Sequence, residues 1–335
     1  MPPNAPASTR LRQRLLFGEA GIMPALFVVL VLALVATQPY FLAATNIVNV
    51  LRNASFLIIA ASGQMLVLIV GGFDLSIGAV IALTSVVSAS VMSGLPGYGV
   101  HGAVPISLIG VLAGLLCGAA VGLANALAIA WLRVPPFMAT LATMSIANGM
   151  GLLLTNGIPI YGMPDAYVAF AGRAILFGLP VALYAAALVV ALLFVLLNWT
   201  RIGRYLYASG GNIQAAKVSG VNTRAIVMLA YVTSGVLGSL TGLLLTAEIG
   251  SGQATTGEAL MLESLAASVL GGVSLRGGVG RVELVAVGAI FLLTLTNAMD
   301  LMHLDTRLQL IVLGCVLALA VSVEAVGRRQ LVLRA

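Results

Sequence analysis

The chain has 335 residues, of which 61% are hydrophobic and only 8% are charged, and its formal net charge is +6. This composition, with a mean hydropathy of +1.12, excludes an ordinary soluble domain. The basic residues lie at the ends of apolar segments and do not cluster with aromatic residues, so we expect no nucleic-acid partner.

Long uncharged runs predict an all-α integral membrane protein with about ten transmembrane helices. No Asp, Glu, Lys or Arg occurs between Asp74 and Arg133, and such runs are long enough for helices to cross about 30 Å of hydrocarbon. The predicted spans are 20–38, 47–70, 75–94, 106–131, 137–155, 179–198, 225–247, 261–275, 282–299 and 307–326.

These spans predict a single transmembrane domain over residues 20–326. Residues 1–19 and 327–335 are expected to be cytoplasmic tails, and 156–178 a longer external loop. The first span follows three arginines, as a secretory signal does. We interpret it as uncleaved because many further spans follow and no convincing small-residue cleavage site is present.

The distribution of positive charge predicts the orientation. With the N-terminus and the C-terminus both in the cytoplasm, 13 of the 16 Lys and Arg residues fall in inner segments, and only Arg52, Arg173 and Arg307 do not. A shift by one span would remove this asymmetry. The polar loop 199–224 is therefore predicted to be cytoplasmic.

A short helix is predicted within that loop, over residues 212–219. Asn212 is a favourable N-cap and Gly220 can supply a left-handed stop, while Gly210 and Gly211 are expected to break the preceding structure. A capped helix held outside the bilayer is suited to docking another protein.

Small residues in the fourth span predict close helix packing. Glycines recur there at a strict spacing of four, which gives one smooth face for a neighbouring helix: Gly110, Gly114, Gly118 and Gly122. Cys117 and Cys315 both lie in apolar runs and are interpreted as packing residues.

Amides and hydroxyls are the main polar groups within the spans. Asn46, Asn49 and Asn53 share one helical face at the outer part of the second span. Such groups either hydrogen-bond neighbouring helices or form a weakly polar, uncharged route for a neutral hydroxylated solute. The candidate pathway residues are Asn49, Asn53, Gln64, Asn125, Asn148 and Asn297, with Thr143 as a further candidate.

No catalytic constellation is evident. The chain has no GxxxxGK[ST] phosphate loop, and neither His101 nor His303 has partners at metal-binding spacing, so we expect no enzymatic activity, metal or bound cofactor. The spans also lack the ionisable residues that proton- or sodium-coupled carriers commonly use. The energy for transport is therefore expected to be delivered from outside the chain, through the cytoplasmic loop.

Four stretches closely resemble the permease subunits of ribose-type ABC importers, which serve ribose, xylose, arabinose, galactose and related solutes. They are GQMLVLIVGGFDLSIGAVIAL (63–83), RVPPFMATLATMSIANG (133–149), TRIGRYLYASGGNIQAAKVSGVNT (200–223) and SGQATTGEALMLESLAASVLGGVSLRGG (251–278). The resemblance covers nearly the whole chain. It implies a multi-pass permease of the bacterial inner membrane with ten helices, surrounded by lipid.

The resemblance also implies partners. These are a second permease protomer, identical or different, a cytoplasmic ATP-binding cassette subunit that uses ATP and Mg, and a periplasmic solute-binding protein. The family's coupling helix, which seats in a groove of the ATPase, falls here on Asn212, Ile213, Gln214, Ala215, Ala216, Lys217, Ser219 and Gly220.

Two positions and one segment depart from the family pattern, the segment being NAMDLMHLD (297–305), where an asparagine-rich version is more usual. Ile213 stands where the family commonly has an acid, and Glu263, within MLES, takes the place of an aspartate. Besides sugar import, two alternatives remain open: the same scaffold serving amino acids, nucleosides or another small solute, and an ATP-independent secondary carrier or channel.

Overall fold

The computed structural model describes residues 23–332, so the predicted tail 1–19 lies outside the described residues. The main helices are α1 Met23–Thr37, α2 Ala44–Ile69, α3 Ile77–Gly94, α4 Ala103–Ala130, α5 Pro136–Thr155, α6 Val181–Trp199, α7 Arg201–Gly211, α8 Ile213–Val218, α9 Thr223–Ile249, α10 Glu258–Leu270, α11 Val282–Leu301 and α12 Thr306–Val332. A two-residue hairpin, β1 Ile175–Leu176 with β2 Leu179–Pro180, lies in the predicted external loop.

Each of the ten predicted spans overlaps a helix in the described part of the chain, although the eighth, 261–275, was predicted five residues too long at its end because α10 stops at Leu270. Seven helices in the described part of the chain are long and apolar enough to cross a membrane, namely α2, α3, α4, α5, α6, α9 and α11. The 13-residue α10 is about 20 Å long, and the apolar segments Phe27–Thr37 and Thr306–Val316 are also short. The all-α membrane class is confirmed, whereas ten crossings are not.

Helix α2 forms the centre of the bundle, since 89% of its most apolar 18-residue segment is buried inside the protein. It packs against α6, α9, α10 and α11. Its buried residues range from the large Leu57 and Leu68 to the small Ser62 and Gly63. In lipid, helices associate through close packing rather than through the hydrophobic effect, so small residues at the centre favour the assembly.

The glycine face of α4 lies against α9 and α3, and all four glycines are buried. A Cβ on Gly118 would collide with the carbonyl oxygen of Gly235 in α9, and a Cβ on Gly235 would collide with that of Gly118. A Cβ on Gly114 would lie 2.9 Å from Leu243 Cδ2. The two backbones therefore approach to a distance that only glycine permits.

The bundle has two ends with different connections. We call the end formed by turns 70–76, 131–135 and 271–281 with α7 and α8 the inner end. Gly278 N–H donates to Ile69 O at 2.8 Å there. We call the end formed by loop 156–180 and segment 250–257 the outer end. Two backbone hydrogen bonds of 2.9 and 2.8 Å join Ile160 and Gly252 there.

The predicted polar loop 199–224 is largely helical, which corrects one expectation. Gly210 and Gly211 do not break the structure but form the end of α7. A Cβ on Gly210 would collide with the carbonyl oxygen of Ile69, so glycine here permits close packing. The break comes instead at Asn212, whose backbone is extended at φ −155°.

The C-terminal boundary also differs. Helix α12 continues to Val332, so residues 327–332 of the predicted tail extend the helix. Arg328 and Arg329 favour a helix and do not end one. The residues that follow them include no glycine or proline to act as a helix stop.

Candidate functional site

The short helix α8 has a complete cap at each end. Asn212 Oδ1 accepts hydrogen bonds from Gln214 N–H and Ala215 N–H, both at 3.0 Å. At the other end, Gly220 adopts φ +82° and Val221 N–H donates to Ala216 O at 3.0 Å. This left-handed glycine motif satisfies the last carbonyls of the helix.

Most of α8 is available for contact. Ala216 is buried and anchors the helix to the bundle. The other predicted coupling residues are exposed: Asn212, Ile213, Gln214, Ala215, Lys217, Ser219 and Gly220. Two rigid caps and an exposed surface fit a docking element, and its role as the ATPase coupling segment stays a prediction.

An open cavity of about 610 Å³ lies at the outer end, between α2, α9, α10 and α11. Its polar lining residues are Asn53, Gln253, Thr255, Thr256, Glu258 and Glu263, and its apolar ones include Phe56, Leu245, Ile249, Leu260 and Leu293. The volume is within the range of about 300–1,000 Å³ typical of small-molecule sites. Carboxylates, amides and hydroxyls beside apolar carbon surface suit a hydroxylated ligand.

Segment 250–257 forms one wall of this cavity and is fixed to α3. Ser85 Oγ accepts from Gln253 N–H at 3.2 Å and from Thr246 Oγ1 at 2.7 Å. A Cβ on Gly252 would lie 2.8 Å from Ser85 O, so the wall passes close to α3. Within the described residues, the buried Oγ1 of Thr256 has no hydrogen-bond partner.

The structure separates the predicted pathway residues. Asn53 lines the outer cavity, whereas Asn49 is exposed elsewhere on the outer part of α2. Asn148 is half-buried on α5. Gln64 is fully buried in the core of α2, and its Oε1 has no partner among the described residues.

Asn297 joins two helices. Its amide nitrogen donates to Asn46 Oδ1 at 2.8 Å, and Asn46 Nδ2 donates to Asn297 Oδ1 at 3.0 Å. This reciprocal pair connects α2 with α11 at the outer end. Of the two interpretations of an amide within a span, it corresponds to hydrogen bonding between neighbouring helices.

A buried polar network at the inner end includes Asn125 and was not foreseen. Asp74 Oδ1 accepts from Ser76 Oγ at 2.6 Å, and Asp74 Oδ2 accepts from Ser234 Oγ at 2.8 Å. Asn125 Nδ2 donates to Ser76 Oγ at 2.8 Å, and Thr143 Oγ1 donates to Asn125 Oδ1 at 2.6 Å. The network links the turn after α2 to α4, α5 and α9.

The turn carboxylate of this network is strongly desolvated. Burial raises the pKa of Asp74 above its ordinary value, and the hydrogen bonds from Ser76 and Ser234 oppose that rise. The sequence signal available was an acid followed two residues later by serine in a glycine-rich helix break. It did not identify Asn125 or Ser234, which lie far away in the chain.

One ion pair lies near the outer cavity. Arg52 Nη1 and Glu248 Oε1 are 3.2 Å apart and join α2 to α9. The two residues directly precede the cavity residues Asn53 and Ile249 in sequence. Sequence reasoning missed this pair because its members are separated by 196 residues.

Comparison with known proteins identifies close relatives. The family model described as "Branched-chain amino acid transport system / permease component" matches residues 46–321. The chain is 37% identical over 297 residues to a ribose import permease protein of Bacillus subtilis, covering 88% of this chain and 89% of that protein. No solved structure matches the chain.

Two further relatives come from Escherichia coli K12. A ribose import permease protein is 35% identical over 317 residues, covering 92% of this chain and 95% of the relative. A galactose/methyl galactoside import permease protein is 34% identical over 317 residues, covering 92% and 94%. The chain therefore belongs to the ribose-type permeases of ABC importers.

Proposed function

We propose that this chain is the membrane-spanning permease of an ATP-driven importer for a monosaccharide or a related polyol. The observation that carries this proposal is the outer cavity of about 610 Å³, in which Glu258 and Glu263 offer hydrogen-bond acceptors beside neutral amides and hydroxyls. Relatives that are ribose, allose and galactose permeases support the same solute class.

The charge of the cavity argues against an amino acid as the solute, although the family description names branched-chain amino acid transport. Its described lining contains Glu258 and Glu263 but no Lys or Arg. A free amino acid is a zwitterion: the two carboxylates can pair with its ammonium group, but the described lining offers no Lys or Arg for its carboxylate, whose desolvation is then uncompensated. A neutral sugar carries no such cost.

Energy would come from a partner ATP-binding cassette subunit that uses ATP and Mg, seated on α8. The exposed, doubly capped helix supports this assignment. The permease itself would hydrolyse nothing. Its assembly would include a second permease protomer, identical or different, and a periplasmic binding protein that delivers the solute.

In the proposed arrangement, the chain crosses the bacterial inner membrane ten times with both termini in the cytoplasm. The inner end, which holds α8, then faces the cytoplasm, and the cavity faces the periplasm. The concentration of Lys and Arg in the inner segments supports this orientation.

Uptake by cells that lack this permease tests the solute class. Labelled ribose, galactose, allose and leucine are compared in the deletion strain with and without the restored chain. We expect the chain to restore uptake of at least one sugar and to leave leucine uptake unchanged. Restored leucine uptake with no sugar uptake would refute the proposal.

A further inference from the structure

A second cavity, of about 320 Å³, lies at the inner end between α8, the α2–α3 turn, the α4–α5 turn and the start of α9. Three cationic residues, Arg133, Lys217 and Arg224, line it. Its described lining contains no Asp or Glu, and the remaining lining consists of apolar residues, the glycines Gly71 and Gly72, and the hydroxyl residues Thr223 and Tyr231. The cavity is therefore electropositive.

The three cations are not neutralised within the described part of the chain. Arg133, Lys217 and Arg224 are exposed, and none of them forms an ion pair with a carboxylate there. Three like charges around one concave surface repel each other, and an anion between them removes that cost. The observed arrangement favours a ligand with negative charge.

Local structure directs these cations to the cavity. The guanidinium carbon of Arg224 lies 5.6 Å from the centre of the Trp131 ring, a cation–π contact that leaves its N–H groups free to donate. Arg133 adopts φ +57°, a left-handed conformation that is uncommon for a residue with a side chain. Lys217 lies in the last turn of α8.

Apolar side chains on the same turn indicate where the ligand comes from. Trp131 is 60% exposed and Leu132 is 76% exposed, and Phe137 and Met138 at the start of α5 are exposed as well. In a membrane protein, an exposed tryptophan at a helix end is typical of the lipid–water interface. A cationic cavity beside these exposed apolar side chains matches the headgroup region of a phospholipid, where a charged phosphate adjoins apolar chains.

We propose that this cavity binds a phosphate group, and that its source is the headgroup of an anionic phospholipid. Arg133 and Arg224 donate hydrogen bonds to the phosphate oxygens, and Lys217 adds a third positive charge. Because Lys217 belongs to α8, the bound headgroup ties this helix to the α4–α5 turn. The inference goes beyond the proposed transport function and does not depend on the solute.

Lipid binding by the purified full-length chain tests the proposal. Native mass spectrometry in an uncharged detergent measures the affinity for phosphatidylglycerol and for phosphatidylcholine. The test variant is Arg133→Gln/Arg224→Gln. The matched control is Arg201→Gln/Arg204→Gln, which removes two exposed arginines of α7 that do not line the cavity.

We expect the cavity variant to bind phosphatidylglycerol roughly tenfold or more weakly than the wild type, because each cation near an anionic headgroup contributes about as much as a severalfold change in affinity. Binding of phosphatidylcholine and binding by the control variant change little. Equal phosphatidylglycerol affinity in the cavity and control variants would overturn the proposal.

Two further results would reassign the site. Displacement of phosphatidylglycerol by inorganic phosphate, with equal affinity for phosphate alone, would overturn the lipid source in favour of a soluble phosphate. Loss of ATPase association with unchanged lipid affinity would overturn the proposal in favour of an acidic protein partner. If the double variant does not purify as a folded protein, the single exposed change Lys217→Gln is measured instead, and it must weaken lipid binding severalfold.

Discussion

The outer and inner ends of this bundle differ in the charge of their cavities. Among the residues that the structure describes, the lining of the outer cavity of about 610 Å³ includes Glu258 and Glu263 but no cation, whereas that of the inner cavity of about 320 Å³ includes Arg133, Lys217 and Arg224 but no acid. Between them lies a core of small and apolar residues on α2, α4 and α9. The chain thus has two cavities of opposite charge, proposed as a solute site and an anion site, at opposite ends of a shared framework.

The shared framework predicts that the largest effect comes from its centre. Gly118→Leu places a side chain against the carbonyl oxygen of Gly235, where no space exists, and the backbones of α4 and α9 must separate. We expect a loss of about 3 kcal/mol or more in stability and the loss of function at both ends. Thermal unfolding in detergent measures this change.

Gly149→Leu provides the matched control for that substitution. A Cβ at Gly149 meets no atom within 4 Å, and its backbone is not left-handed, so this variant should unfold near the wild-type temperature. Equal stability of the two variants would show that the α4–α9 contact does not hold the two ends together.

At the inner end, Ala215→Glu should weaken docking of the ATPase without changing the solute site. Ala215 is exposed on α8, and a carboxylate there would be buried without a partner when an ATPase docks. We expect uptake to fall on the order of tenfold or more while insertion and folding stay unchanged. Uptake in vesicles and gel filtration with the ATPase measure the two effects.

The exposed Ala208 on α7 provides the control for this variant. Ala208→Glu adds the same charge at the same end and should retain most of the uptake. If both variants lose uptake equally, the effect comes from added charge at this end and does not identify α8 as the docking site of the ATPase.

At the outer end, Glu263→Gln should weaken the interaction with the solute. A hydrogen bond from a solute hydroxyl to a charged carboxylate contributes about 1.5–3 kcal/mol, whereas one to a neutral amide contributes about 0.5–1.5 kcal/mol. We therefore expect the KM for sugar uptake to rise roughly tenfold, with ATPase association unchanged. The exposed Asp165→Asn is the outer-end control, and an unaltered KM for Glu263→Gln would exclude the cavity as the solute site.

An effect on stability, and not on transport, is expected in the buried polar network of the inner end. Thr143→Val leaves Asn125 Oδ1 without its 2.6 Å donor, which should cost about 1–3 kcal/mol in the free energy of unfolding. Ser145→Ala on the same helix removes only a bond from an exposed hydroxyl to Leu141 O. Thermal unfolding should rank Thr143→Val below Ser145→Ala, and the reverse order would contradict the network's role.

Much of the helix order follows from the sequence, because lipid requires long apolar helices that satisfy their own backbone hydrogen bonds. The second predicted span, 47–70, thus corresponds to α2 at Ala44–Ile69. The caps of α8 were also predictable, since Asn and left-handed Gly act locally. Gly210 was misinterpreted because its role depends on Ile69, which is distant in the chain.

The two cavities were the least predictable features. Each is formed by helices that are far apart in sequence, such as α2 with α10 at the outer end or α4 with α8 at the inner end. Of the six predicted pathway residues, only Asn53 lines the outer cavity, because an amide pattern within a span does not distinguish a helix-pairing amide such as Asn297 from a solute ligand.

Reconstituted transport tests the central claim most directly. The purified chain is inserted into vesicles with its ATP-binding cassette subunit and binding protein, and labelled sugar uptake is measured with and without ATP. We expect uptake that requires ATP and the ATPase and that Ala215→Glu lowers about tenfold or more. Equal uptake by vesicles that contain the chain alone would contradict it and would establish an ATP-independent carrier.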